Sequence, residues 1–538
     1  MGTVQNALQN HSFGMTRRQL LQSCVAGAIT AVELPSISIA QTGASRTLVF
    51  AVDAITGNSD PGIFATFGDW MAIDCIARGL THIDYHTTEV KPALAGSWDI
   101  SPDHRVYTFR LREGLKFHDG NPVRAQDCVR SFTRLMDDKD PTRPAGTYAI
   151  AELGGSNIKE VKAIDDLTFR ITLAVPDVAF LARLSNPNGV ILSSAAIEKY
   201  GKTIGNNLVA AGPFKFVEST PGQKIVLEAF AEYYEGRPPL DRVVLQVLPD
   251  PLALTDAVLA GSVGASNFIP HSSVKQFRAN SSFKLFDPKP YIDIFVQMNV
   301  GAGVLKDLRV RQAINFAVDR SAIVREAFFG QAHLPAYMIT PAELGYDASL
   351  KVYSTRDVGR AKKLLQEAGA VGAPIKFINQ NVLFWPKVGQ IVERDLREIG
   401  LNVTTSYVDS GTFSQTFFDP KAHELGTWQR SAFVPDPDNK LSPLLAGDSF
   451  AAQVGTQNPL LPTQKKLDLL LSEARQENDP DKRAKLYVEL QRFLAEEVMV
   501  YSMLAYISTP VVSAANLQGL NADALGTYRL FLEHTKYA

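Results

Sequence analysis

The chain has 538 residues, of which 45% are hydrophobic and 20% charged, with a formal net charge of -2. That balance is ordinary for globular protein, excludes an intrinsically disordered chain, and supplies enough length for two or more packed lobes. No run of Lys and Arg marks a nucleic-acid or membrane-surface footprint, so nucleic acid is excluded as an expected partner.

The first forty residues read as an export segment rather than part of a fold. Thr16-Arg17-Arg18-Gln19-Leu20-Leu21 precedes an uncharged stretch from Gln19 to Val32, and Ser38-Ile39-Ala40 suits a signal peptidase. The pattern predicts a twin-arginine signal over residues 1–40 and delivery to the periplasm. The uncharged stretch falls short of the about 20 residues that cross a membrane. Leu21-Gln22-Ser23-Cys24 makes a poor lipoprotein box, because almost no apolar run precedes it. Of the three cysteines, Cys75 and Cys128 would remain after cleavage, on separate helical patterns, and their pairing is left open.

Short alternating runs follow, fitting half-buried strands: Thr47 to Val52, Tyr107 to Leu111, Leu167 to Leu173, Ile225 to Ala229 and Val243 to Leu248. Helices are expected between them near 123–136 and 195–200. From about Asn299 the period changes to 3.6. One helix opens at Asp307, with Val310, Ala313, Ile314, Ala317 and Val318 on one face. Another starts at Thr355 and stops at Gly369. Residues 374–380, 386–399 and 401–408 read as strand, helix, strand, which favours a parallel pair. A last helix begins near Asp479-Pro480 and leads into the apolar run 500–507.

Fixed-spacing segments then carry a resemblance. Pro92-Ala93-Leu94-Ala95-Gly96-Ser97-Trp98 runs on through Ser101-Pro102-Asp103 to Tyr107-Thr108-Phe109-Arg110-Leu111-Arg112-Glu113-Gly114, then Lys116-Phe117-His118-Asp119-Gly120 and Ala125-Gln126-Asp127. Gly212-Pro213-Phe214, Met298-Asn299, Leu308 to Ile314 and Ala361 to Gly369 add to it. The chain resembles the bacterial extracellular solute-binding proteins of family 5, the dipeptide, oligopeptide and nickel-binding group. The resemblance implies an α/β, periplasmic-binding-protein-like two-lobe clamp of type II, from the large cluster with an extra N-terminal subdomain. Residues 41–288 plus 506–538 would form the first lobe and 289–505 the second. It also implies a monomer that hands a small solute, peptide-like or otherwise polar and with cations included, to the transmembrane subunits of an ABC permease.

In relatives that bind short peptides, an acidic residue three positions after a Trp holds the ligand amino group, and an Arg before the helix of the strand-helix-strand unit holds its carboxylate. Here the Trp is Trp428, the third residue on is Ser431, and acids arrive only at Asp436 and Asp438. The stretch Asn379-Gln380-Asn381-Val382-Leu383-Phe384-Trp385 has no Arg. The candidate site is therefore Trp428, Trp385 and Phe384 as flat walls, with Ser431, Asp436, Asp438, Asn379 and Gln380 as polar anchors. Phe67, Gly68 and Asp69 are the contribution expected from the first lobe. The alternative for each is structural: tryptophans of this size are mostly core, and Asp-Pro pairs mostly mark turns.

No Gly-x-Ser-x-Gly elbow, phosphate loop, His-Glu-x-x-His helix or Cys-x-x-Cys pair nominates an enzyme, a metal or a cofactor. His82 and His86 suit a strand or turn as well as a helix, so no metal is expected there. His118-Asp119-Gly120 is expected to be a turn. The leading expectation is a binding protein, with an exported hydrolase or a sensory receptor on the same fold as the alternatives.

Overall fold

The computed structural model describes residues 46–538 except 64–65, 85–86, 145–148, 418, 420, 432–433, 435, 448–462 and 521–528. The expected export segment with Cys24 lies outside the described residues, as does His86.

The first half is organised by a seven-stranded sheet. In spatial order its strands are Phe283–Phe286, Val511–Ala514, Ala265–Ser266, Thr47–Val52, Arg242–Val247, Lys224–Ala229 and Phe214–Thr220. Thr47–Val52 lies at its centre, parallel to Arg242–Val247 on one side and to Ala265–Ser266 on the other. The expected alternation holds there, because Leu48 and Phe50 point into the core. A separate four-stranded antiparallel sheet, in the order Ala95–Ile100, Val106–Leu111, Thr168–Leu173, Ile158–Ala163, carries its own core around Phe109, Phe132 and Phe169.

A five-stranded sheet organises the second half, in the order Asn402–Val408, Pro374–Gln380, Leu425–Arg430, Ile292–Met298, Tyr501–Ile507. The expected strand-helix-strand unit is present: Pro374–Gln380 and Asn402–Val408 are parallel and joined by the helix Trp385–Glu398. Asp307 caps the helix Leu308–Ala317 by accepting a hydrogen bond from the Arg309 amide. The helix expected from Thr355 starts later, at Val358, because Asp357 is the residue whose carboxylate caps it; Gly369 ends it at φ 63°. Asp479 likewise caps Pro480–Phe493, whose last turn widens into a π-helical segment, Leu494–Val498.

The chain passes from the seven-stranded to the five-stranded sheet between Phe286 and Ile292, and returns between Ile507 and Val511. Pro288, Pro290 and Pro510 stand in these crossings, where extended backbone is required. Cys75 and Cys128 are both buried, free thiols. His118-Asp119-Gly120 forms a turn, with the Gly120 amide donating to the Phe117 carbonyl at 2.9 Å and Gly120 at φ 85°. Burial pushes His118 down to about 4, so it is neutral and structural.

Candidate functional site

The expected site residues are spread over several elements, with Asn379 and Gln380 closing Pro374–Gln380, Trp428 on Leu425–Arg430 and Phe67 to Asp69 opening the helix Phe67–Ile76. Several of them are already occupied by neighbours. Asn379, next to last in the parallel strand, is fully buried, donating from Nδ2 to the Trp385 carbonyl at 2.7 Å and accepting from the Gln380 amide at 3.1 Å and from the Thr427 hydroxyl. Its carboxamide therefore fixes the start of the next helix. Gln380, beside it, is half-buried. Trp385 is 3% exposed and packs into the core, while Phe384 before it stays half-buried, 4.7 Å from Phe328 between ring centroids.

Trp428 is half-buried on Leu425–Arg430, edge-on to Phe295 at 6.4 Å and tilted against Phe417 at 4.9 Å. Ser431 follows that strand, also half-buried. Asp436 caps the helix Pro437–Leu445, accepting from the Asp438 amide, and both its oxygens receive Arg483 at 2.6 and 2.9 Å. Asp438 is fully buried and accepts from Arg183, from Arg475 at 3.1 Å and from the Ser442 hydroxyl at 2.6 Å. Burial alone would raise its carboxyl, but the Arg475 and Arg183 guanidiniums outweigh that and hold it below the usual range. These bonds fill the oxygens expected to greet a ligand amine.

From the first half, Thr66 caps the helix Phe67–Ile76. Phe67 is half-buried, with its ring edge-on to Trp70 at 6.1 Å. A Cβ on Gly68 would lie 2.3 Å from the Ala54 carbonyl, so only glycine lets the helix sit on that loop. Asp69 is buried and accepts from the Thr56 amide at 3.0 Å and from the Thr56 and Thr66 hydroxyls at 2.8 and 2.7 Å, tying two loop segments together.

Sequence reasoning missed the charged groups that bring the halves together. Arg183 ends the helix Phe180–Arg183 and also binds Asp177 at 3.0 Å. Glu152, fully buried, receives Arg430 at 2.9 Å, two residues beyond Trp428. Behind Arg430, wholly within the second half, lies another buried group: Lys440 binds Asp293 at 2.8 Å and Glu343 at 2.5 Å, all three within 7% exposure. Burial pushes Asp293 up to about 8, with Lys440 opposing and Glu343 adding to the rise. The available signal was an acid inside the apolar strand Ile292–Met298 and a lysine inside the helix after Asp436.

Where the halves meet, a cavity of about 290 Å³ opens beside the chain crossing. Asn267 and Phe268, which follow Ala265–Ser266, face Leu383 and Phe384, which follow Pro374–Gln380, with Thr509 and Pro510 alongside. Both sides thus stand beyond carboxyl ends of strands, one from each major sheet. Asn267 is 4% exposed and its Oδ1 has no partner among the described residues. Of the expected residues only Phe384 lines this cavity. Among the described residues no group of three His, Cys, Asp or Glu is placed to hold a metal, and no helix is long and apolar enough to cross a membrane.

The family model for bacterial extracellular solute-binding proteins, family 5 (middle region), matches residues 89–451. The chain is 32% identical over 469 residues to heme-binding protein A of Haemophilus influenzae, covering 82% of each chain. It is 28% identical over 429 residues to the glutathione-binding protein GsiB of Escherichia coli, covering 78% of this chain and 81% of that one. Among solved structures, the periplasmic binding protein DppA of Helicobacter pylori, in complex with the peptide STSA, superposes with a TM-score of 0.82 at 27% identity, over 90% of this chain and 98% of that one. AgaA of A. tumefacien R10 with agropinic acid also gives 0.82, at 25% identity, over 91% of this chain and 99% of that one.

Proposed function

The chain belongs to the bacterial extracellular solute-binding proteins of family 5, and from that premise we propose that it is the periplasmic substrate-binding component of an ABC importer, capturing one small solute by closure of two lobes. The observation that carries the reading is the cavity at the seam, whose walls come from both halves and whose floor is the chain crossing. A solute that touches both halves stabilises the closed form by its differential affinity for it, and a closed clamp is a state a permease can read.

Within this reading the first lobe is 41–288 plus 506–538 and the second 289–505, with residues 1–40 removed on export by the twin-arginine route. The protein acts as a monomer and without catalysis. The engagement of Asp436 by Arg483 and of Asp438 by Arg183 and Arg475 favours a solute not held by its amino group at these acids. Related chains bear names for heme, glutathione and peptide binding, so the solute class follows from this chain's own cavity rather than from kinship.

The test is native mass spectrometry of the mature protein purified from its own periplasm, followed by calorimetry with the released molecule. One solute per chain, bound at about 1 μM or tighter and so worth about -8 kcal/mol, is the expected result. Turnover of that molecule, or the absence of any bound solute together with no closure, would overturn the reading.

A further inference from the structure

Beside the seam cavity lies a second one of about 470 Å³ that shares His271, Ser272 and Phe329 with it. Its charged lining groups are Lys275, next to the first-half segment that follows Ala265–Ser266, and Arg325, near the end of the second-half helix Arg320–Glu326. Among the described residues no carboxylate lines it. Lys275 has no acidic partner among the described residues, while Arg325 meets only the neighbouring Glu326 there, at 2.9 Å on the surface. His271, pushed down to about 4 by burial, is neutral and adds no charge near pH 7. The outer cavity is therefore lined by two cations, while the inner one, mostly apolar, carries one charge of each sign, Glu326 and Lys387.

Two of the apolar walls are held in unusual backbone. Phe329 is at φ 52° and 52% exposed; Leu383 is at φ 53° and 37% exposed. Bulky side chains rarely enter the left-handed region, and such strain persists where the surroundings impose it, often at ligand clamps. Here a glycine-type turn is formed at each place by a large apolar residue, and both residues line the inner cavity. Leu334, 49% exposed, extends the open apolar surface into the outer one.

We propose that the seam takes an amphipathic organic anion: a ring-sized apolar body in the inner cavity between Phe329, Leu383 and Phe384, and a carboxylate or phosphate in the outer cavity against Lys275 and Arg325. A ring N–H on that body meets the unpartnered Oδ1 of Asn267. This deepens the solute-capture reading and rests on it. It sets the sign of the charge recognised, opposite to a site built on free acids.

The probes are indole-3-butyrate, indoxyl phosphate and tryptamine, titrated calorimetrically into the mature chain and into Lys275→Glu/Arg325→Glu. These two exposed side chains are not part of the core, and the melting temperature of the variant checks its fold. The expected result is that at least one anion binds ten times or more tighter than tryptamine, and that the double variant loses this advantage; the tighter of the two anions names the head group. Tryptamine binding as tightly as both anions, or anion affinity unchanged in the folded double variant, overturns the inference. If the solute released from the periplasmic protein still binds that variant with unchanged affinity, solute capture stands and the anionic seam falls. If no probe and no periplasmic solute binds the native chain, the capture reading falls first.

Discussion

Asp438 and Arg183 are both fully buried and joined by an ion pair, although one belongs to the half built on the five-stranded sheet and the other to the half that carries the seven- and four-stranded sheets. The backbone follows the same link, since the Val178 amide donates to the Arg475 carbonyl at 3.0 Å. Glu152 and Arg430 repeat it a short way off. Charges taken out of water are costly to leave alone, so these pairs favour this arrangement of the halves only while both partners are present.

Asp438→Asn keeps the size of the side chain and leaves Arg183 with Asp177. Removing one partner of a buried pair costs about 3–5 kcal/mol, and here the loss falls on the closed form, because water reaches Arg183 once the halves part. The expected outcome is a larger radius of gyration by small-angle scattering and solute binding weakened by about a hundredfold or more, at about 1.4 kcal/mol per tenfold. Unchanged scattering and affinity would show that the pair does not hold the halves together.

Asp293 gives a pH dependence with a definite sign. Its folded value is about 8, against about 3.9 for a free Asp, so between these values the folded chain holds a proton that the unfolded chain has released. The contribution of this group is complete below about pH 4 and is lost as pH rises towards 8. Asp293→Asn resembles the protonated form and lacks this loss. Its melting temperature, relative to the native chain, should rise steadily when measured from pH 5 to pH 8.5; a difference that stays flat or falls over that range contradicts the assignment.

Gly68→Ala tests how the first-half loop meets its helix. The added Cβ would stand 2.3 Å from the Ala54 carbonyl and 3.1 Å from the Ile55 side chain, and a backbone atom cannot move aside as a side-chain tip can. The expected cost is about 1–3 kcal/mol of overpacking, read as a lower denaturant midpoint with an unchanged slope. Full stability in this variant would mean that the helix shifts freely on its loop.

Cys75 and Cys128 sit in different cores, and burial pushes both thiols up, so neither presents a reactive thiolate. Titration of the native chain with a thiol reagent should therefore report no fast-reacting groups from these two positions, and both should react on unfolding without a reductant. Dependence on reductant would reveal a disulfide instead.

Much of the architecture was legible because it is written locally. The alternation of Leu48 and Phe50, the caps at Asp307 and Asp479 and the stop at Gly369 each express one backbone requirement in one residue type. The site was less legible, since its logic is pairing at a distance. Asp438 looks like an anchor for an amine until Arg183, 255 positions away, takes it. Trp385 looks like a flat wall until the Asn379 amide and the core enclose it, whereas Phe384 beside it reaches the seam. The seam residues Phe329 and Lys275 carry no motif at all, and only the meeting of the two halves brings them together.

Leu383→Gly separates strain from grip. At φ 53° a leucine sacrifices about 1 kcal/mol relative to a residue that enters the left-handed region freely, while its loss also removes part of the inner apolar wall. Glycine relieves the first and forfeits the second, and its freedom in the unfolded chain offsets part of the relief. The expected result is a melting temperature equal to or above that of the native chain, with solute affinity reduced about tenfold or more. Leu383→Ala serves as the partner variant: it truncates the wall but keeps the strain, so it should lose affinity without any gain in stability. If both variants bind the solute as the native chain does, Leu383 belongs to the turn alone and the strained backbone serves folding rather than capture.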